Sequence, residues 1–278
     1  LKLKIYMRQA YANPQAAAVT ALLTEDNFIS GNVMITQFGA EQGKRNPWYE
    51  IQVDRLGDVN QRASNSMLKY LSKTEDARID GIYNPGSSGH KAKEQGDFAN
   101  RDIPSGELST INIGETDPVV LMSLAEVDFL VAEADVRYNG GANAQASYES
   151  GIENSFAMHG LGGASTMYGS GGPYEWSSTG NVEADIEQIM MQKWIALANF
   201  QNLEAFFEIN RTHVPAFSTN AKGTPGDTAQ LTISYASVLS PGTTPKRLFV
   251  PDVEIARNTK APSQPAGGLA QKVWWDKK

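Results

Sequence analysis

The chain has 278 residues, of which 41% are hydrophobic and 20% charged, a composition typical of a globular protein with a buried core. The formal net charge of −7 and the lack of a sizeable basic cluster argue against nucleic acid as a partner, because phosphate binding needs many Lys and Arg side chains on one face. No apolar run is long enough to span a bilayer, and the absence of cysteine excludes disulfides, thiol chemistry and thiolate metal sites.

Residues 1–26 are predicted to form a pair of helices. Apolar side chains recur up to Tyr11, Pro14 interrupts the pattern, and Ala16-Ala17-Ala18 favours a second helix. The alternation from Leu1 to Ile5 would also fit an edge strand, an alternative that these five residues alone leave open.

Segment 28–114 is predicted to be a long loop insertion, because it lacks sustained periodicity and is rich in Gly, Asn, Ser and Pro. One short helix is predicted within it, from Arg62 to Leu71. Loops of this length are uncommon inside a domain and are usually functional, so binding residues are sought here first.

A second helix pair is predicted over residues 118–158. Asp117 could cap its first helix, with Pro118 in the first turn. Asn139-Gly140-Gly141 supplies a left-handed stop. The returning helix carries an apolar stripe at helical spacing, formed by Tyr148, Ile152 and Phe156. Two antiparallel helices joined by a short loop are the repeating unit of a tetratricopeptide-like solenoid.

The rest of the chain is predicted to consist of a glycine-dense loop at 160–180, a long helix at 183–208 and an irregular region at 212–278. Trp194 falls on the apolar face of the long helix and is predicted to be core. Alternation from Gln230 to Leu239 predicts a short hairpin strand. Trp274-Trp275 could form an exposed edge or pack as a lid. The predicted fold class is mainly α, a single region of helical repeats with long irregular loops and minor β-hairpins.

Several stretches, spread from residue 1 to about residue 258, carry a resemblance to a known family. They are Leu1–Arg8, Leu121–Ala134 with Tyr148–Phe156, Ile186–Pro215 and Pro245–Asn258. In sequence and order they are similar to the tetratricopeptide-like helices and the C-terminal segments of SusD/RagB-like proteins. These are outer-membrane nutrient-binding lipoproteins of Bacteroidota. Asp76-Ala77-Arg78 resembles that family's Asp-Pro-Arg turn, with Ala77 in place of Pro.

The resemblance implies a SusD-like α-solenoid that binds an oligosaccharide or another nutrient at the extracellular face of the outer membrane. It implies delivery of that ligand to a SusC-type TonB-dependent transporter, with no catalytic step. It also implies that this chain corresponds to the C-terminal part of the family fold, with the N-terminal half and its lipid anchor lying outside it. A solenoid without its preceding repeat would expose the face on which that repeat packs, so we expect lower stability.

Sugar binding needs flat apolar faces for the C–H groups of a pyranose and planar polar groups for its hydroxyls, which makes loop aromatics the candidates. The first candidate is Asn46-Pro47-Trp48-Tyr49, where proline stiffens a loop that presents two aromatic rings. The alternative is that Trp48 only fills space between the loop and the helices. The further candidates are Tyr83, Tyr174 and Trp176.

Two other function classes stay open. Glu126 and Glu133, like Asp128 and Asp135, are seven residues apart on one predicted helix and could serve as a glycoside hydrolase acid/base pair. The alternative is that these carboxylates form a solvated helix face. A tetratricopeptide-type scaffold that binds protein or peptide is the second rival.

No cofactor is expected. A calcium site is left unassigned, because Asp54, Asp58 and Asn60 offer oxygen ligands at a spacing that misses the EF-hand pattern.

Overall fold

The centre of the fold is the helical hairpin around Asn139-Gly140-Gly141. The computed structural model describes residues 1–218, 229–239 and 243–278. Within them, both glycines of the hairpin turn have positive φ, 76° and 77°, a backbone conformation that side chains with a Cβ rarely adopt. The first hairpin helix packs against the second along its length, and the fold class is confirmed as mainly helical.

Helices dominate the described part of the chain, and the strands between them are short. In chain order the helices are α1 Lys2–Arg8, α2 Ala16–Glu25, α3 Pro47–Tyr49, α4 Asn65–Lys73, α5 Arg78–Ile82, α6 Leu124–Tyr138, α7 Ala144–Met158, α8 Ser165–Tyr168, α9 Val182–Ala196, α10 Asn202–Thr212 and α11 Asp252–Arg257. The strands are β1 Val33–Ile35, β2 Tyr83–Asn84, β3 Thr110–Ile111 and β4 Val119–Met122.

Helix α6 buries two faces. One face, including Phe129 and Ala132, packs against α7 and α9. The other, including Leu130 and Ala134, packs against Leu3 and other apolar residues of α1 and α2. Because α6 contributes to two apolar clusters, it joins the N-terminal helix pair to the central hairpin.

The predicted start of this hairpin is wrong. Asp117 does not cap a helix, because Val119–Met122 form strand β4, which pairs antiparallel with β1. The N-cap of α6 is Ser123, whose Oγ accepts a hydrogen bond from the Glu126 backbone N–H at 3.1 Å. Val119 and Val120 are adjacent β-branched residues that favour the extended conformation, so the helix begins only after β4, where Ser123 is the next side chain able to cap it.

The predicted long helix at 183–208 is also wrong, since it is two helices. Helix α9 ends at Ala196 and α10 begins at Asn202. Asn199 lies between them with φ of 64°, a left-handed conformation that ends helical hydrogen bonding and that Asn tolerates better than most residues. The Asn202 side chain stabilises the turn by accepting from the Asn199 backbone N–H at 3.1 Å.

Segment 28–114 contains more regular structure than the sequence predicts. Besides α4, it holds α3, a π-helical turn over Glu50–Arg55 and helix α5. Strand β2 pairs antiparallel with β3, with Tyr83 opposite Ile111. The π-turn and two-residue strands are too short to produce a periodic pattern in the sequence.

The predicted hairpin strand from Gln230 to Leu239 is not formed. Leu231 makes one isolated parallel bridge, to Phe217. Residues 219–228 and 240–242, which also belong to the predicted irregular region, lie outside the described residues. At the C-terminus Trp275 packs edge-on against Phe207, whereas Trp274 is 62% exposed, so the two adjacent tryptophans differ in role.

The α6 carboxylates do not form a solvated face. Glu126, Glu133 and Asp135 are buried, and Asp128 is half-buried. Each has protein partners: Glu126 pairs with Lys4 at 2.7 Å and Glu133 with Arg211 at 2.7 Å. The partners come from helices distant in sequence, which explains why a single helical pattern suggests solvent exposure instead.

Candidate functional site

A groove of about 460 Å³ runs between α3, α4 and the α9–α10 connection, and we call it the aromatic groove. Trp48 from α3, Tyr83 from β2 and Trp194 from α9 all line it. Trp48 is half-buried, while Tyr83 and Trp194 are each 8% exposed and also belong to the apolar cluster around α4. Planar polar side chains line the same groove: Gln61, Arg62, Gln95, Asn199 and Asn202.

Trp48 is positioned by Asn46. The buried Asn46 side chain caps α3: its Oδ1 accepts from the backbone N–H groups of Trp48 at 2.9 Å and Tyr49 at 3.3 Å. Its Nδ2 donates to the Asp117 carbonyl at 2.9 Å, which ties the loop to the start of β4. Asn46 therefore orients the tryptophan, because its own polar atoms are already bonded within the protein.

Tyr49 is half-buried beside Trp48. The Arg45 guanidinium lies 5.8 Å from its ring centroid and also pairs with Asp54 at 2.7 Å. One face of Tyr49 is thus covered by a cation, a contact that stabilises the loop. Tyr49 does not line the aromatic groove.

Tyr83 lies deep in the groove, at the β2–β3 pairing. Burial raises the pKa of its hydroxyl to about 12, so the group stays protonated at neutral pH. Nearby, Asn199 donates through Nδ2 to the Ile82 carbonyl at 2.6 Å, which connects the α9–α10 turn to the end of α5. The groove wall is therefore held by direct hydrogen bonds between segments more than a hundred residues apart in sequence.

Tyr174 and Trp176 lie elsewhere. The Tyr174 hydroxyl donates to Asp76 Oδ2 at 2.7 Å, and its ring stacks on Tyr70 with centroids 6.2 Å apart. Trp176 contacts the Tyr148 ring at 5.2 Å. Tyr174 is buried, so its ring faces belong to the core, and Trp176 is half-buried against the same cluster.

Tyr174 completes a buried ion pair that the Asp76-Ala77-Arg78 turn contributes. Arg78 binds Asp76 through Nη2 at 2.6 Å, Ser155 at 2.9 Å and Gln192 at 2.8 Å. Burial alone would raise the pKa of the Asp76 carboxyl, but the Arg78 guanidinium outweighs it and lowers the pKa. The turn that resembles the family's Asp-Pro-Arg motif thus links α5 to α7 and α9.

Sequence reasoning misses the groove's polar residues. Trp194 is core, as its position on the helical face predicts, yet the edge of its side chain also reaches the groove. Arg62 and Asn199 carry no motif in the sequence. The only local signal is the Asn199-Phe200-Gln201-Asn202 stretch, because two asparagines three residues apart favour a turn rather than a continuing helix.

The oxygen groups that could suit calcium are bonded within the protein. Asp54 binds Arg45, Asp58 accepts from the Val59 backbone N–H at 2.7 Å, and Asn60 donates through Nδ2 to the Asp58 carbonyl. Across the described ranges, no three His, Asp or Glu side chains converge in a way that could hold a metal ion.

The scaffold of paired helices described above is the fold of solved SusD homologues. The chain belongs to this family: the family profile described as starch-binding and associating with the outer membrane matches residues 1–233. A search of curated proteins finds no match. In the described part of the chain, no helix combines the length and apolarity needed to cross a membrane.

Solved structures agree on the fold. The chain is similar to a SusD homologue from Bacteroides uniformis, with a TM-score of 0.75 and 22% identity over 100% of this chain and 63% of that one. A SusD-like protein from Bacteroides thetaiotaomicron has a TM-score of 0.74 and 21% identity over 100% of this chain and 63% of that one. A chitin-binding SusD homologue from Flavobacterium johnsoniae has a TM-score of 0.70 and 22% identity over 99% of this chain and 61% of that one. This chain therefore spans less than two thirds of the length of these relatives.

Proposed function

We propose that this protein binds an oligosaccharide at the outer face of the outer membrane and passes it to a SusC-type TonB-dependent transporter. The observation that carries the proposal is the aromatic groove, in which Trp48, Tyr83 and Trp194 meet amide and guanidinium side chains. Membership of a family described as starch-binding, and likeness in fold to a chitin-binding homologue, support the same reading.

The chemistry of the groove suits a sugar. A half-buried indole offers a flat apolar face to pyranose C–H groups and has few rotamers to immobilise. Asn199, Asn202 and Gln95 carry planar amides that can both donate to and accept from hydroxyls. The volume of about 460 Å³ lies within the range of small-ligand sites.

A non-catalytic role fits the positions of the acidic side chains. A glycoside hydrolase needs two carboxyl groups flanking an open site. Glu126 and Glu133, the candidate acids for that role, are buried and paired with Lys4 and Arg211. Carboxylates that are buried and ion-paired inside the protein are poorly placed to protonate a sugar. We therefore favour binding of the glycan without cleavage.

Calorimetry with Trp48→Ala tests the proposal, using maltoheptaose, chitohexaose and a wider glycan panel. For any glycan that binds the wild type, removal of the indole should raise Kd by at least about tenfold, because most of the contact area between Trp48 and the sugar is lost. The unfolding midpoint should stay close to that of the wild type, because Trp48 is only half-buried.

The matched control is Trp274→Ala, which removes an exposed indole outside the groove and should leave binding unchanged. A large loss of stability in Trp48→Ala with binding intact would show that Trp48 is a core residue. Release of shorter products from any glycan would favour a hydrolase. Peptide binding without glycan binding would favour a tetratricopeptide-type scaffold.

A further inference from the structure

A second cavity continues the aromatic groove. Its volume is about 520 Å³, and it shares Arg62, Ser64 and Gln95 with the groove, so the two cavities are adjacent. We call this second cavity the basic arm. At its far side Phe98 and Arg101 line the surface. Phe98 is 75% exposed, so one face of its ring is open to a partner at this surface.

The walls of the basic arm are fixed in place by the chain itself. Tyr235 N–H donates to the Gln95 carbonyl at 2.8 Å, and Thr232 donates to Glu94 Oε2 at 2.8 Å. Gly96 makes the close approach possible: a Cβ there would lie 2.2 Å from Ser234 Oγ. On the opposite side Lys93 N–H donates to the Ala63 carbonyl at 3.2 Å. Such cross-links preorganise a cleft and reduce the entropy lost on binding.

The carboxylates and the cations of the basic arm differ in how far they are bonded within the protein. Its carboxylates have protein donors: Glu94 accepts from Asn65 at 2.6 Å, and Asp97 accepts from Asn100 at 3.0 Å. Lys69 also lies 3.6 Å from Glu94. These amide donors hold the two carboxylates in fixed orientations, and Lys69 offsets part of the charge of Glu94.

Its cations keep donors to spare. Lys93 donates to the Asn100 carbonyl, which leaves its positive charge without a counter-ion in the described structure. Arg62 donates to the Val59 carbonyl and lies 3.7 Å from the exposed Asp58, a weak pairing. Arg101 has neither a hydrogen bond nor an ion pair to any described residue, and Asp102 beside it is exposed to solvent. Among the residues that line the basic arm, three cations therefore stand against two carboxylates, in a chain whose net charge is −7.

We propose that the aromatic groove and the basic arm form one extended cleft for an anionic oligosaccharide, with a carboxylate or sulfate group of the sugar on Arg101. A guanidinium recognises either group through two parallel N–H···O bonds, while a neutral hydroxyl engages it less strongly. Trp48 and Phe98 then stack on sugar rings at the two ends of the cleft. This inference rests on the proposed function and narrows its ligand class.

The test compares acidic and neutral partners of the same backbone by calorimetry on the full chain. One pair is oligogalacturonate against its methyl ester, which probes carboxylate, and the other is dextran sulfate against dextran, which probes sulfate. We expect at least one acidic member to bind about tenfold more tightly than its neutral partner, and the advantage to shrink as salt is added.

Arg101→Ala should remove most of that advantage, and Arg101→Lys should restore only part of it. Arg257→Ala, on exposed helix α11, is the matched control and should leave the affinity for both the acidic and the neutral glycan unchanged. Equal binding of acidic and neutral partners, or an unchanged preference in Arg101→Ala, would overturn the anionic cleft. If neutral glycans still bind through Trp48 in that case, the proposed function stands; if no glycan of either kind binds, both proposals fail.

Discussion

Arg211 joins three helices through two buried carboxylates. It lies on α10 and binds Glu133 of α6 with both Nη atoms at 2.7 Å, while Glu208 pairs with Arg211 and with Lys193 of α9 at 3.1 Å. Burial alone would raise the pKa of the Glu133 carboxyl, but Arg211 and Arg137 outweigh it and lower the pKa. These charges are therefore structural, because each is fully paired where water is excluded.

Glu133→Gln should lower the free energy of unfolding by about 3 kcal/mol, since it leaves buried guanidinium charge with one carboxylate fewer. Urea denaturation at neutral pH measures this loss. Glu187→Gln removes an exposed carboxylate from α9 and should change stability by less than about 0.5 kcal/mol. Equal effects of the two substitutions would contradict the structural role of the ion pair.

Residue types on the loops predict which side chains are candidates for binding, but not which of them pack. Trp48 and Tyr83 do line one groove, while Tyr174 turns inward because Asp76, almost a hundred residues earlier, offers a buried acceptor. Asn46, a candidate ligand contact by its sequence context, instead caps α3. Such roles depend on partners distant in sequence, so local chemistry cannot assign them.

The contact of α6 with α7 shows how a helix pair achieves its close packing. Gly151 of α7 faces Phe129 of α6, and a Cβ at Gly151 would lie 2.7 Å from the phenyl ring. Apolar spacing predicts that these two helices exist and pair, as the family resemblance does. The bounds of α6, α9 and α10 instead depend on Ser123 and Asn199, single residues whose capping and turn geometry the periodicity does not register.

Gly151→Ala tests that contact. Alanine favours helix by up to about 1 kcal/mol over glycine, but the clash with Phe129 should outweigh this gain and destabilise the protein by about 1–3 kcal/mol. Thermal or urea unfolding gives the sign directly. The double variant Gly151→Ala/Phe129→Leu makes room for the methyl group and should lose less than the two single variants together, whereas strict additivity would argue against a direct clash.

At the scale of the whole molecule, buried side-chain packing links segments that are remote in sequence. His159, just after α7, packs under α5, where a Cβ at Gly81 would lie 2.6 Å from its ring, and its ring centroid is 5.0 Å from that of Phe200. Its Nε2 is buried without a hydrogen-bond partner among the described residues. The helical scaffold could be predicted from sequence, but not this three-way contact, because its members lie in unrelated segments.

His159 should make stability depend on pH. Burial, with the nearby Arg78 charge, lowers the pKa of its imidazole from 6.5 to about 4. The unfolded chain therefore takes up a proton first as pH falls, so the stabilisation is complete above pH 6.5 and is lost progressively down to about pH 4. The loss is at most about 3 kcal/mol.

His159→Gln should flatten the plot of unfolding free energy against pH across this window. Parallel plots for wild type and His159→Gln would mean that the buried ring does not govern acid stability.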